Sequence, residues 1–458
     1  MFANFKWKRF IIIDLIILAI IVLGFLFTRW YDENTTEIEK ANGLVTIEKW
    51  ILPSGLKVYF TPAPQLPMLD VQLAFNAGSA QDKAQAGLAQ LTNNLLLSGT
   101  NTQSADAIAA AFEDKAILIN TNVSRDYATI AMRSLTDKQV LSTGVTLLTE
   151  LLQHVSFPAD AFAREQKQLL TSIEYKSQDP ALLGEDLFFN ALYGHQVYGS
   201  PLTGTKDSVM LLTQADVQAF YKDHYVAEGS VLALVGDLSL SQAKKIAKTI
   251  DAALSKEKAP RALDLALVTK ANFAGTKKLD FPSSQTHLFV GQLSINRQSP
   301  DYFPLLIGNQ ILGGGGLVSL LFEEVREKRG LVYSVSSYFY PLQANGIFLI
   351  NLQSRTTEAE NALQVVEETV KKFVEIGPTQ EQVDAAKANL SGGFPLRIAS
   401  NGLIIDALTT IGYYDLPLDY LNTYADQINA VTLQQVKDAF ARHVDWNAMV
   451  VVEVGKVD

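Results

Sequence analysis

The alternation of apolar and polar positions divides the chain into segments before any single residue is weighed. Residues Phe10–Thr28, FIIIDLIILAIIVLGFLFT, are almost continuously apolar over the length that spans a bilayer. Tyr31–Gly43 is polar and reads as a short tether. Leu44–Thr61 then alternates in a hairpin-like pattern around the turn signals Pro53, Ser54 and Gly55, and Asp70–Asn76 reads as a strand. Ala86–Thr100, AGLAQLTNNLLLSGT, has a helical period: Gly87, Leu88, Leu91, Leu95 and Leu96 make an apolar stripe, while Gln90, Asn93 and Asn94 share one polar turn. A second helix is expected around Ser104–Glu113, followed by strands at Ile117–Val123 and Tyr127–Arg133. Between Leu141 and Gln178 the helical period returns in two segments, the second ending at Asp179 and Pro180.

The pattern then repeats. Thr213–Gly236, TQADVQAFYKDHYVAEGSVLALVG, reads as a helix followed by a strand. It aligns without a gap on Thr432–Gly455, TLQQVKDAFARHVDWNAMVVVEVG, with Thr213 on Thr432, Val217 on Val436, His224 on His443 and Gly236 on Gly455. One long-period duplication is not a solenoid. It predicts an α+β chain of two similar halves, residues 46–255 and 271–458, joined by a linker at 256–270 that is rich in Lys, Pro and Ala. Each half would carry an antiparallel-rich sheet with helices mostly on one face.

The flanks of the apolar run give it a direction. Lys6, Lys8 and Arg9 precede it, and Arg29, Asp32 and Glu33 follow, so the positive-inside rule places the N-terminus in the cytoplasm and the body outside it. Asp14 is the one charge within the run and sits near its basic end, where it can pair or snorkel. Trp7 and Trp30 suit the two interfaces. A cleaved signal peptide is the rival reading, but no small-x-small site follows the run. Residues 1–30 are therefore read as a cytoplasmic stub and uncleaved transmembrane anchor, 31–45 as a tether, and the protein as a single-pass membrane protein, periplasmic in its main body if bacterial.

With 458 residues and a formal net charge of −10, the chain suits several cores and argues against a nucleic-acid partner. It has no cysteine, which excludes disulfides and thiol nucleophiles. Its five histidines, His154, His195, His224, His287 and His443, never stand three or four residues apart, so no helical pair can grip a metal. Packing and hydrogen bonding are the expected roles of all five.

The Ala86–Thr100 stretch resembles the active-site helix of the M16 (pitrilysin or insulinase-like) metallopeptidases, which reads roughly AGLAHFLEHMLFKGT. That family places two zinc-binding His and a general-base Glu there in an H-x-x-E-H motif. In this chain the three positions hold Gln90, Asn94 and Asn93 respectively. The family's third ligand is the first Glu of an L-E-E-I-x-x-x-x-D-x-P stretch, and its counterpart in LTSIEYKSQDP is Thr171. Glu174 lies one turn away at the wrong offset and is read as a solvated helix residue. Carboxamides are poor zinc ligands and cannot take a proton from water. The resemblance therefore implies a degenerate site at Gln90, Asn93, Asn94 and Thr171, with no metal in this chain and a polar patch linked by amide hydrogen bonds.

Other stretches extend the likeness from about residue 46 to the C-terminus. ILPSGLKVYF resembles the family's opening L-x-N-G-L-x-V, and YGHQVYGSPLTG its structural HPYG-x-P-x-x-G loop. NTNVSRDYATI resembles the N-A-x-T-S-x-D-Y-T edge strand that pairs with an extended substrate, which would make Asn120, Thr121, Asn122 and Ser124 substrate-binding. Asn309–Tyr338 resembles the second-half signature, a Gly-rich turn, a helix and then R-x-x-x-x-x-x-Y. In the family this Arg and Tyr bind the substrate backbone or developing oxyanion, and here they are Arg326 and Tyr333. The Gly313–Gly316 run lacks the Lys-Ser/Thr of a phosphate loop and reads as a lid or turn.

Some M16 proteins work as pairs, one subunit holding H-x-x-E-H and the other the Arg/Tyr half. The expected function is that of a membrane-anchored, zinc-free subunit. It would lend Arg326 and Tyr333 to an H-x-x-E-H partner that carries the zinc and hydrolyses peptides. The alternative is a pseudopeptidase that binds peptides or scaffolds a complex and contributes nothing to catalysis. An enzyme with another metal site is disfavoured by the scarcity of His and absence of Cys.

Overall fold

A computed structural model describes residues 37–258 and 270–456. The expected anchor, and most of the expected linker, lie outside these residues. Among the described residues no helix is long and apolar enough to cross a membrane.

Two sheets organise the molecule. In the first half the strands are β1 (Glu39–Ala41), β2 (Ile47–Ile51), β3 (Lys57–Pro62), β4 (Met68–Phe75), β5 (Leu118–Val123), β6 (Ala128–Leu135) and β7 (Val231–Gly236). They form a seven-stranded sheet in the order β1-β2-β3-β7-β4-β6-β5. In the second half β8 (Gly275–Asp280), β9 (Gln285–Leu293), β10 (Val332–Tyr340), β11 (Ile347–Arg355) and β12 (Val450–Gly455) form a five-stranded sheet in the order β10-β11-β9-β12-β8. Residues 39–41, expected within the tether, instead pair antiparallel with β2 as an edge strand.

The repeat has a structural counterpart. Thr213 and Thr432 each begin a helix by capping the third backbone N–H with the hydroxyl, and Asp216 or Gln435 reaches back to complete a capping box. Each helix leads into an interior strand with equivalent neighbours. β7 runs parallel to β3 and antiparallel to β4, while β12 runs parallel to β8 and antiparallel to β9.

Both faces of β7 are buried, which explains its unbroken apolar run VLALVG. Leu232 and Leu234 join the first-half core beneath Leu91, Leu148 and Ile250. Val231, Ala233 and Val235 point the other way, into a core shared with second-half residues Leu408 and Ile411. Those two leucine and isoleucine side chains belong to helix Asn401–Tyr413, which packs across β7, β4 and β3. Reciprocally, first-half helix Pro180–Tyr193 packs on β12 and β9, burying Phe188 and Leu192 against Val450, Val452 and Val454. The 219-residue offset of the repeat carries residues 182–193 onto 401–412, so the two halves exchange equivalent helices.

Close approach at both crossings depends on glycine. A Cβ on Gly184 would meet the Phe289 ring at 2.1 Å, and one on Gly412 would meet the Tyr59 ring at 2.6 Å. The expectation of helices mostly on one face therefore needs correction. Helices of the same half cover one face of each sheet, and a helix lent by the other half covers the opposite face. A sheet apolar on both faces leaves no cheaper way to exclude water.

Candidate functional site

The polar-turn helix is shorter than its sequence pattern suggests, running from Leu88 to Leu95. Gly87 precedes it at φ 93°, a left-handed conformation that costs a residue with a Cβ. Asp82 anchors its start: one carboxylate oxygen accepts the Gly87 N–H at 2.8 Å and the other the Ala89 N–H at 2.7 Å. Burial pushes this carboxyl up to about 7, outweighing the two backbone donors that favour its ionised form. Leu88, Leu91 and Leu95 are buried, as the stripe requires.

The opposite turn carries the amides. The Gln90 side-chain nitrogen donates to Asn94 Oδ1 at 2.8 Å, and both residues stay partly exposed. Asn93 is 1% exposed, and its Nδ2 lies 3.4 Å from both the Thr129 carbonyl and the Tyr225 hydroxyl. Thr171 is exposed on helix Ala159–Lys176, where its hydroxyl donates to its own helix at the Lys167 carbonyl, 2.9 Å away. Glu174 is also exposed on that helix. Among the described residues no three His, Cys, Asp or Glu side chains form a group able to hold a metal. The donor set of Gln90, Asn93, Asn94 and Thr171 does not fit zinc. It offers neutral amides and a hydroxyl in place of imidazole and carboxylate, and the Asn94 oxygen already accepts from Gln90.

Beside this helix, β5 closes one end of the first sheet and leaves its outer edge without a partner strand among the described residues. Its side chains alternate. Leu118, Asn120 and Asn122 are exposed, while Thr121 turns towards the amide helix and donates to the Asn93 carbonyl at 3.3 Å. The Ser124 hydroxyl instead closes the hairpin turn, donating to the Tyr127 carbonyl at 2.8 Å. Asn120 also borders a cleft of about 300 Å³ between the sheet and helix Asn401–Tyr413, alongside Asp70, Gln72, Arg133 and Asp406.

The Arg326/Tyr333 pair is built from two irregularities. Arg326 lies in a π-helical turn, Phe322–Glu327, of the kind often found at functional sites. Tyr333 is the extra residue of a β-bulge: Val332 pairs with Ser354 and Ser334 with Gln353, leaving Tyr333 unopposed. The bulge turns its ring outward, 78% exposed. The Arg326 guanidinium then lies near two rings, 4.9 Å from the centre of Phe322 and 5.6 Å from that of Tyr333. The Gly-rich run before it is a π-helical turn, Gln310–Gly314, tied to β10 by Asn309, which donates to the Ser337 carbonyl and accepts from its hydroxyl. No hydrogen bond or ion pair among the described residues joins Arg326 or Tyr333 to the amide turn.

Sequence reasoning missed a buried junction at Asp126. Its carboxylate accepts from the Tyr198 hydroxyl, from the Tyr414 hydroxyl at 2.8 Å and from the Gln343 N–H at 2.9 Å. Its carbonyl accepts from the Tyr413 hydroxyl at 2.6 Å. Burial raises the carboxyl despite these donors. Tyr413, Tyr414 and Gln343 are second-half residues, so one first-half aspartate ties the halves together. The adjacent charges Arg125 and Asp126, set between two expected strands, were the available signal. Among the histidines, His224 is buried with Nδ1 against the Asn76 carbonyl at 2.9 Å, and burial pushes its imidazole down. His443 pairs with Asp301 at 2.7 Å.

Comparisons with known proteins agree with this architecture. Residues 58–206 match the family described as Insulinase (Peptidase family M16), and residues 212–390 match the Peptidase M16 inactive domain. The crystal structure of a peptidase M16 inactive domain from Pseudomonas fluorescens is 39% identical, covers 90% of this chain and 98% of its own, and superposes with a TM-score of 0.86. A Helicobacter pylori protein named as a non-peptidase homolog is 28% identical over 83% of this chain and 88% of its own length. A Streptomyces coelicolor protein named as an uncharacterized zinc protease is 26% identical over 81% of this chain and 82% of its own.

Proposed function

Because the chain belongs to the M16 peptidase family yet holds amides where that family holds its zinc ligands, we propose that it is a zinc-free subunit that completes the site of an H-x-x-E-H partner. The observation that carries this reading is the asymmetry between its halves. Gln90, Asn93, Asn94 and Thr171 cannot serve a metal, whereas Arg326 and Tyr333 are held together at the surface by a π-turn and a bulge. A guanidinium fork and a phenolic O–H are suited to a peptide carbonyl gaining negative charge. The partner would supply the zinc and the general base. The apolar run Phe10–Thr28 would anchor the pair to a membrane, with the body on the extracytoplasmic side.

A second reading draws on the open edge of β5, which suits an extended peptide whether or not catalysis follows. In that case the chain is a peptide-binding pseudopeptidase. Mixing the full chain with a co-purifying H-x-x-E-H protein separates the two. Peptide cleavage that needs this chain and fails with Arg326→Ala supports the completing subunit. A partner equally fast without it leaves the pseudopeptidase, and cleavage by the chain alone excludes both.

A further inference from the structure

Resting on the reading that this chain binds extended peptide, we infer that Gln90 and Asn94 have become a clamp for a peptide group of that ligand. The two side chains sit one helical turn apart and share a single hydrogen bond. A carboxamide has one oxygen and two N–H groups. With the Gln90 nitrogen donating to the Asn94 oxygen, the Gln90 oxygen and the Asn94 nitrogen have no hydrogen-bond partner among the described residues, and both residues are partly exposed. One acceptor and one donor on the same face match the N–H and C=O of a peptide unit. The match survives reversal of both amides, since the opposite donation also leaves one oxygen and one nitrogen free.

Position supports the same assignment. The helix carrying the pair packs on β5, and Thr121 of that strand is bonded to the carbonyl of Asn93, between the two amides in sequence. A peptide added to the open edge of β5 therefore runs beside the pair, and its backbone meets Gln90 and Asn94 while β5 holds its length. The clamp is neutral and reads backbone, so it grips extended peptide with little regard to side chains. The pair offers one acceptor and one donor from side chains one helical turn apart.

The test uses the full chain in detergent, without any partner protein, and fluorescein-labelled casein as an unfolded probe, read by anisotropy. Gln90→Ala with Asn94→Ala should weaken binding on the order of ten-fold, from the loss of two hydrogen bonds, with no change in melting temperature. Asn94→Asp keeps the shape but replaces a donor with a carboxylate, and should weaken binding comparably if the double variant fails to fold. The Asn94 side-chain N–H₂ resonances should shift on adding probe. Unchanged affinity in the folded variants, or no binding by the wild-type chain, overturns the clamp. Because no partner is present, that result is separate from the Arg326→Ala peptidase assay: the clamp can fail while the completing role stands, and the reverse.

Discussion

The guanidinium carbon of Arg326 lies 5.6 Å from the centre of the Tyr333 ring, although the two come from a helical turn and a strand. The bulge at Tyr333 makes this contact possible by turning the ring out of the sheet. Tyr333 is exposed and Arg326 half-buried at the surface, so truncation should spare the fold. Arg326→Ala is expected to lower partner-dependent peptide cleavage about 10²–10³-fold, the usual cost of removing one oxyanion donor. Tyr333→Phe should cost less. Steady-state kinetics of the reconstituted pair, beside a melting curve of each variant, checks both.

Asn93 holds the position that the sequence resemblance gives to the family's general base, and its surroundings suit an amide. Asn93→Asp would set a carboxylate against the Thr129 carbonyl, with Tyr225 as its one donor. The expected cost is about 2–4 kcal/mol, from burying a poorly satisfied charge. Burial favours the neutral form, so the penalty should shrink as pH falls. Urea midpoints at pH 8 and pH 5 measure it, and a pH-independent penalty would count against the electrostatic account.

Asp82 and His224 predict opposite pH limbs. The Asp82 carboxyl is raised to about 7, so its contribution to stability is full below the unfolded value near 4 and lost as pH rises through about 7. Asp82→Asn should flatten that loss. His224 is lowered by burial, so its contribution is full above the unfolded value near 6.5 and lost as pH falls through the native value. Unfolding midpoints across pH 4–8.5, for wild type and Asp82→Asn, should separate the two limbs.

The exchanged helices make each half depend on the other. Gly184→Ala places a methyl against Phe289, and Gly412→Ala places one against Tyr59 and Val231. Each should destabilise by about 1–3 kcal/mol through overpacking. Hydrogen exchange should report the first change in β9 and β12, in the half that does not contain residue 184. Protection lost only within the mutated residue's own half would contradict the exchange.

Asp126→Ala should loosen the junction between halves, since it strands the Tyr198 and Tyr414 hydroxyls and the Gln343 N–H. A loss of about 2–4 kcal/mol is expected from unsatisfied buried donors. Asp126→Asn keeps an oxygen for one or two of these donors and should fall between the two. Thermal unfolding of both variants provides the comparison.

Local order was legible where periodicity and capping agree. The helix–strand repeat at Thr213 and Thr432, the amphipathic segment around Leu88–Leu95 and the β5–β6 hairpin all follow from residues adjacent in sequence, because capping boxes, apolar stripes and turns act over a few residues. The amide substitutions at Gln90, Asn93 and Asn94 were equally legible, since the identity of a ligand position is written in the sequence. Helix boundaries were not, and the polar-turn helix stops at Leu95 although apolar residues continue beyond it.

Tertiary structure alone decided which sheet each helix covers. Helices Pro180–Tyr193 and Asn401–Tyr413 are apolar around much of their circumference, so their sequences alone pick no sheet, and the two-sided burial of β7 and β12 sends them across to the other half. It also decided that Arg326 meets Tyr333, that Ser124 is spent on a turn, and that one buried aspartate joins the halves. Sequence determined which chemical groups are present, because each residue carries its own donors, acceptors and charge. Their meeting depends on long-range packing, in which apolar burial is nondirectional and selects partners only once the whole chain is in place.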